Sequence, residues 1–261
     1  MNTQPFDWIP LWGFFVSAVV LSTIAVELGR YAGNWRQARG SSENEATVSS
    51  IVASVLGLSA FMLAFAFSMA ASRFDARRQA VLEEANSIGT TYLRSELLPE
   101  PQRSELGELL RNYVALRVQV VDKSKILNVV AQSDELLKKI WSEGVAVSGK
   151  DPHSITTGLF LQSLNETIDL NSKRVFVGLY SRVPWAIWLS LWSLTLIGMM
   201  SIGYQAGLSG AGYSPAMHVA SLAFAVVLLL VVDLDRGQEG MLKVSQQAMI
   251  DLLESMQLDS E

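Results

Sequence analysis

The chain has 261 residues, half of them hydrophobic and only 17% charged, with a formal net charge of −5. It contains no cysteine, which excludes disulfides, thiolate metal sites and thiol catalysis. The weakly acidic balance offers no field suited to nucleic acid, and the charges are clustered rather than spread.

Charge-free runs cover Trp8 to Val26, Ala46 to Ser72 and Val183 to Val232. A helix of about 20 apolar residues crosses a hydrocarbon core of ~30 Å. The first run predicts a span over 8–28, with Glu27 as a boundary charge. Its leading flank MNTQPFD carries no basic residue and so does not read as a cleavable signal peptide. The second run predicts a span over 49–72 that does not stop. RFDARRQAVLEEANSIGTTYLR follows with no proline before Pro99, so one helix leaves the membrane and continues into water. Within it Leu58, Met62, Phe65 and Met69 recur at helical spacing and form a face suited to lining a conduit. The small residues Ala60, Ala64, Ser68, Ala66 and Ala70 fall on other faces, where backbones can approach closely.

Residues 73–182 carry nearly balanced basic and acidic side chains and read as helices. In SELGELLRNYVALRVQVV, after the break at Pro99 and Pro101, Leu106, Leu109, Leu110, Tyr113, Val114 and Val121 form one apolar stripe. Further helices are predicted over 133–146 and over 154–178, the latter with Leu161, Leu164 and Ile168 on one face. The third uncharged run divides at GYQAGLSGAGYSP into spans over 183–205 and 215–233, with Ser214 as an N-cap and Pro215 in the first turn. Gly203 and Gly207 form a GxxxG pair near the end of the third span. The tail from Met241 to Met256 is amphipathic through Val244, Met249, Leu252, Leu253 and Met256.

These elements describe an all-α membrane protein with four transmembrane helices and a cytoplasmic helical domain, the second span being continuous with a cytosolic helix. The expected divisions are an N-terminal transmembrane hairpin over 1–72, a cytoplasmic helical domain over 73–182, a C-terminal transmembrane hairpin over 183–235 and a cytoplasmic amphipathic tail over 236–261. Arg73, Arg77, Arg78, Lys173, Arg174, Arg182, Arg236 and Lys243 fall on one side of the spans, against Arg30, Arg36 and Arg39 on the other. The excess places both termini and the long segment in the cytoplasm.

Chemistry is sparse. His153 follows Pro152 in a loop and reads as solvated, while His218 lies about one turn inside the fourth span and reads as an interfacial hydrogen-bonding group. There is no HExxH or other metal-spaced cluster, and GLSGAG is a turn, because Ala211 stands where a nucleophile elbow needs glycine. No span pairs catalytic carboxylates or a nucleophile with a base, so neither an enzyme nor a cofactor is expected. The fourth span ends in VVDLDRGQEG, where Asp233 and Asp235 oppose the helix dipole and therefore call for partners. Arg73, Arg77 and Arg78 leave the membrane on the same side. With Asp233, Asp235 and Arg236 they form a candidate exit cluster, either salt-bridged or holding an ion.

GLSAFMLAFAFSMAASRFDARRQAVLEEANSIGTTYLRSELLPE, the later apolar hairpin closing in DLDRG, and the VSQQAMIDLL helix together resemble the bestrophin-like membrane proteins of bacteria, over nearly the whole chain. GLSAFMLAFAF followed by Arg73, Phe74 and Arg78 resembles the second membrane helix of true bestrophins. The resemblance implies a homopentamer of four-span subunits around a central pore, with a hydrophobic neck from that helix and ions as the permeating species. Aligned without gaps, the family's neck positions fall on Leu58, Met62 and Ala66, where Ala66 replaces a bulky residue. The acidic calcium clasp of animal bestrophins is not reproduced in DLDRGQE. The expectation is an oligomeric ion channel of the bacterial inner membrane. The alternative is a non-conducting membrane scaffold or sensor whose cytoplasmic helices, Arg103 to Val121 and the tail among them, bind a partner.

Overall fold

The computed structural model of the protein describes residues 8–40, 44–119, 126–210, 215–237 and 240–258. Among them are eight helices and no strand: α1 (Leu11–Ala38), α2 (Glu45–Ser95), α3 (Gln102–Val118), α4 (Ile126–Lys150), α5 (Ile155–Leu179), α6 (Trp185–Leu208), α7 (Pro215–Arg236) and α8 (Gln247–Leu258). Helices α1, α2, α6 and α7 are long and apolar enough to cross a membrane, matching the four spans expected from the three uncharged runs. α2 is a single helix of 51 residues, about 76 Å long at 1.5 Å per residue. It ends in tightened turns, Leu97 N–H to Arg94 O at 3.2 Å and Leu98 N–H to Ser95 O at 3.1 Å, just before Pro99.

Some boundaries differ from expectation. α1 continues to Ala38, beyond the apolar run, because nothing between Glu27 and Ala38 breaks a helix and Glu27 pairs with Arg30 at 2.7 Å, one turn on. α4 starts at Ile126 rather than 133, and the tail helix starts at Gln247 rather than 241. α5 begins as expected at Ser154, whose hydroxyl accepts from the Thr157 N–H. The expected N-cap Ser214, Ala211 of the turn, Val121 of the third-helix stripe and Glu239 lie outside the described residues.

The chain divides into two compact units, one drawn from the chain up to Arg73 with Arg182–Met241, the other from Phe74–Ser181 with the chain from Leu242. In the first, α1 and α6 lie side by side. Phe14 meets Trp188 and Trp192 edge to face at 6.0 and 5.6 Å, while Gly29 and Gly33 meet the segment from Met200 to Leu208, so the two helices run in the same direction. The approach is backbone to backbone. A Cβ on Gly29 would strike the Met200 carbonyl and stand 2.9 Å from the Tyr204 nitrogen; one on Gly203 would strike the Val26 carbonyl and stand 2.9 Å from the Arg30 nitrogen. The Gly203 and Gly207 pair seen in the sequence thus has a counterpart in Gly29 and Gly33. Lipid gives helices no hydrophobic reason to associate, and glycine contacts of this kind supply packing instead. Ala25, Val26, Met199 and Met217 form the core that adds α7.

The second unit has a water-soluble type of core. Ile88, Leu106, Leu110, Tyr113, Ile140, Phe160, Leu164 and Met249 are fully buried, and Val244 and Met256 bring the tail into the same cluster. Each large apolar side chain buried here stabilises the unit by about 1.5–3 kcal/mol before entropy is counted. The apolar stripes of the third, fifth and tail helices are accordingly core stripes.

Candidate functional site

The membrane part of α2 has two unlike faces. Val52, Ser59, Leu63, Ala66 and Ala70 are buried inside the chain, where Gly198 of α6 faces Leu56 and Ser59, and the Ser59 hydroxyl lies 3.2 Å from the Leu194 carbonyl of α6. On the other face Leu58 is 52%, Phe61 67% and Phe65 51% exposed. Met62 and Met69 are half-buried at its flank. Ala66, the third position of the gapless alignment, is buried within the chain: eight residues past Leu58 turns it about 80° around the helix. Phe61 is the most exposed of the three side chains Leu58, Phe61 and Phe65. A period set on Leu58, Met62 and Phe65 skips it, although it stands one turn from Leu58 and from Phe65.

The open face is a regular stripe. Leu58, Phe61, Phe65, Ser68, Ser72, Asp75, Gln79 and Leu82 are exposed in alternating steps of three and four residues along one helix, with Ala60, Ala64, Phe67, Ala76 and Arg78 exposed beside them. A period of 3.5 is the spacing at which helices turn one seam toward a common neighbour. Among the described residues this seam stays exposed along its length, with Asp75, Gln79 and Leu82 bordering a recess beside the tail.

At the acidic exit both carboxylates hold backbone amides. Asp233 is fully buried and its Oδ1 accepts the Met241 N–H at 2.8 Å; Gly240 beside it leaves no room for a Cβ against that carboxylate. Asp235 Oδ1 accepts the Val183 N–H at 2.8 Å, just ahead of α6, and Arg182 Nη1 donates to the Asp235 carbonyl at 3.0 Å. Gly237 ends α7 with a φ of 51°, the left-handed conformation that suits glycine. The two carboxylates therefore tie down the chain on either side of the α6 and α7 pair, and Arg182, counted in the sequence only as a basic flank, is a partner. Arg236 is buried, Arg73 half-buried and Arg78 exposed. Arg77 is 5% exposed and donates to the carbonyls of Val177 at 3.3 Å and Ser181 at 2.7 Å, closing the C-terminus of α5.

A second charged centre was not singled out from the sequence. Glu84 is fully buried between α2, α3 and α5. Its carboxylate accepts from Tyr113 Oη at 2.7 Å and Arg117 Nη2 at 3.1 Å, and is paired with Arg174 Nη1; Arg174 Nη2 donates to Gln246 of the tail at 2.7 Å. Burial alone raises the Glu84 carboxyl, but Arg117, Arg174 and the Tyr113 hydroxyl outweigh it and hold it below its ordinary 4.5. Burial, then the Glu84 charge, pushes Tyr113 well above its ordinary value, so it stays a donor. The only available signal was helical phase: Glu84 shares the core arc of Val81, Ala85 and Ile88, whereas Glu83 does not.

The bestrophin-like domain model matches residues 14–249 of the chain. No match is found among curated proteins. Among solved structures, a mutant of a bacterial bestrophin homologue from Klebsiella pneumoniae superposes with a TM-score of 0.66 at 18% identity, covering 95% of this chain and 98% of its own. A crystal structure of a bestrophin homologue from the same organism, obtained by Zn-SAD phasing, superposes with a TM-score of 0.65 at 18% identity, covering 94% and 96%. These likenesses establish the fold, and bestrophins are ion channels. With its four apolar helices and its matched span reaching from α1 into α8, the chain belongs to the bestrophin-like domain family.

Proposed function

We propose that the chain is one subunit of an oligomeric ion channel of the bacterial inner membrane, a homopentamer by its resemblance, in which α2 of every copy faces the central axis. The observation that carries this reading is the open seam on α2: large apolar side chains in the membrane part of a helix, repeated every 3.5 residues and exposed among the described residues. Leu58, Phe61 and Phe65 form the neck, with Met62 at its edge. An apolar constriction of this kind gates by expelling water, since a narrow ring without polar groups leaves an ion's hydration shell uncompensated. The unit containing α1, α6 and α7 lies in the bilayer and the other unit in the cytoplasm with both termini, as the distribution of Arg and Lys favours. Asp233 and Asp235 serve this arrangement as backbone anchors for the last two spans.

Recordings from the purified protein in planar bilayers test the reading. The expected result is ion current in the wild type that rises several-fold in Phe61→Ala with Phe65→Ala, because removing two aromatic rings widens and wets the neck. No current from either protein overturns it. The scaffold reading draws on the exposed Leu93, Leu97 and Ile155 of the soluble helices. It predicts an electrically silent protein.

A further inference from the structure

The seam on α2 does not end with the neck, and its next members have a definite chemistry. After Phe65 come the hydroxyls of Ser68 and Ser72, then the carboxylate of Asp75, then the amide of Gln79. At about 100° per residue these positions stay within roughly a third of the helix circumference shared with Leu58 and Phe61. Two of the three arginines in this stretch of sequence are turned away from the seam. Arg77 is buried against the end of α5, and Arg73, two residues before Asp75, is half-buried on a different face. Arg78 is exposed but sits about 60° to the side of Asp75. Asp75 is also open to water. With Arg78 and Gln79 it lines a recess of about 490 Å³ shared with Ser245 and Gln247 of the tail. A segment that reads as basic in the sequence thus presents a negative group first along its open seam.

We infer that Asp75 is the specificity-determining residue of the conduit, forming in the oligomer a ring of carboxylates that concentrates cations at the cytoplasmic end of the neck. The inference rests on the channel reading above and adds the charge sign that this reading leaves open. Carboxylate rings act on permeation through their field, because a confined passage lined by one sign of charge enriches the counter-ion and depletes the co-ion. The preceding serines supply neutral oxygens for an ion losing part of its water.

The test is the reversal potential of the purified full-length protein in planar bilayers under a KCl gradient. Wild type should prefer potassium over chloride, and Asp75→Asn should lower the permeability ratio about tenfold, the low end of the enrichment that a cleft of one charge sign produces. Since the chain has no cysteine, Asp75→Cys gives a second route that alters charge on the assembled protein. A sulfonate-bearing thiol reagent should restore cation preference, and an ammonium-bearing one should reverse it. A chloride-preferring wild type overturns the assignment. So does current whose reversal potential ignores both the asparagine and the reagents, or a thiol at position 75 that the reagents do not reach. Absence of current from the wild type overturns the channel reading and this inference with it, so the two failures are distinguishable.

Discussion

Glu84 shows how much a single carboxylate can hold when no water reaches it. One side chain joins α2 to Tyr113 and Arg117 of α3, to Arg174 of α5 and, through Arg174, to Gln246 of the tail. Removing one member of a buried ion network leaves the others unpaired, at a cost of about 3–5 kcal/mol. Glu84→Gln keeps the shape and loses the charge, so it should lower stability by an amount near the bottom of that range. The pH dependence has a definite sign. Because the folded carboxyl lies below its ordinary 4.5, its contribution is fully present above that pH and is lost as pH falls through the lower folded value. Unfolding measured in detergent from pH 7 downward should therefore show wild type and Glu84→Gln converging below pH 4.5. A constant gap at all pH values would show that the carboxylate charge is not what stabilises the site. In the sequence Glu83 and Glu84 look alike; only their phase relative to Val81 and Ile88 separates an exposed partner of Lys173 from a buried hub. The acidic exit was easier to read. Two carboxylates at a helix C-terminus demand partners on electrostatic grounds, yet the backbone amides of Val183 and Met241 are invisible to an argument about side-chain charge.

At the scale of elements, hydropathy located all four spans because an uncharged run of the right length has few alternatives. The ends were less legible: α1 passes through Glu27, Arg30 and Arg36 to Ala38, and helix geometry tolerates charges that a hydrocarbon core does not. The close pairing of α1 with α6 was half visible. GxxxG motifs are common in membrane helices, and what gives Gly203 and Gly207 meaning is the second pair, Gly29 and Gly33, lying opposite them. The steric argument is strict. Gly203→Leu would drive a side chain into the Val26 carbonyl, and overpacking of this kind costs on the order of 2 kcal/mol or more. The variant should aggregate or lose its detergent-stable fold at a lower temperature than wild type. Gly158→Leu, on α5 where a Cβ meets nothing within 4 Å, should leave thermal stability unchanged. Equal behaviour of the two variants would contradict the role given to the α1 and α6 contact.

At the scale of the whole molecule, the proposed conduit needs more than one copy of the chain. One copy leaves Leu58, Phe61, Phe65 and the polar positions beyond them uncovered, and the proposed oligomer puts these seams around one axis. The family resemblance was legible from the long second helix and the DLDRG hairpin, because those stretches are distinctive in order and spacing. The register of the neck was not. Positions 65 and 66 are adjacent and both apolar, and only packing within the chain decides which one turns outward. That difference gives the most direct test of the proposed arrangement, in a chain with no native cysteine to confuse it. Phe65→Cys and Ala66→Cys would be treated in native membranes with a short bifunctional thiol reagent and run on denaturing gels. Phe65→Cys should give a ladder of linked subunits and Ala66→Cys should remain a single band. A ladder from Ala66→Cys, or none from Phe65→Cys, would contradict the placement of the α2 seam at a shared axis.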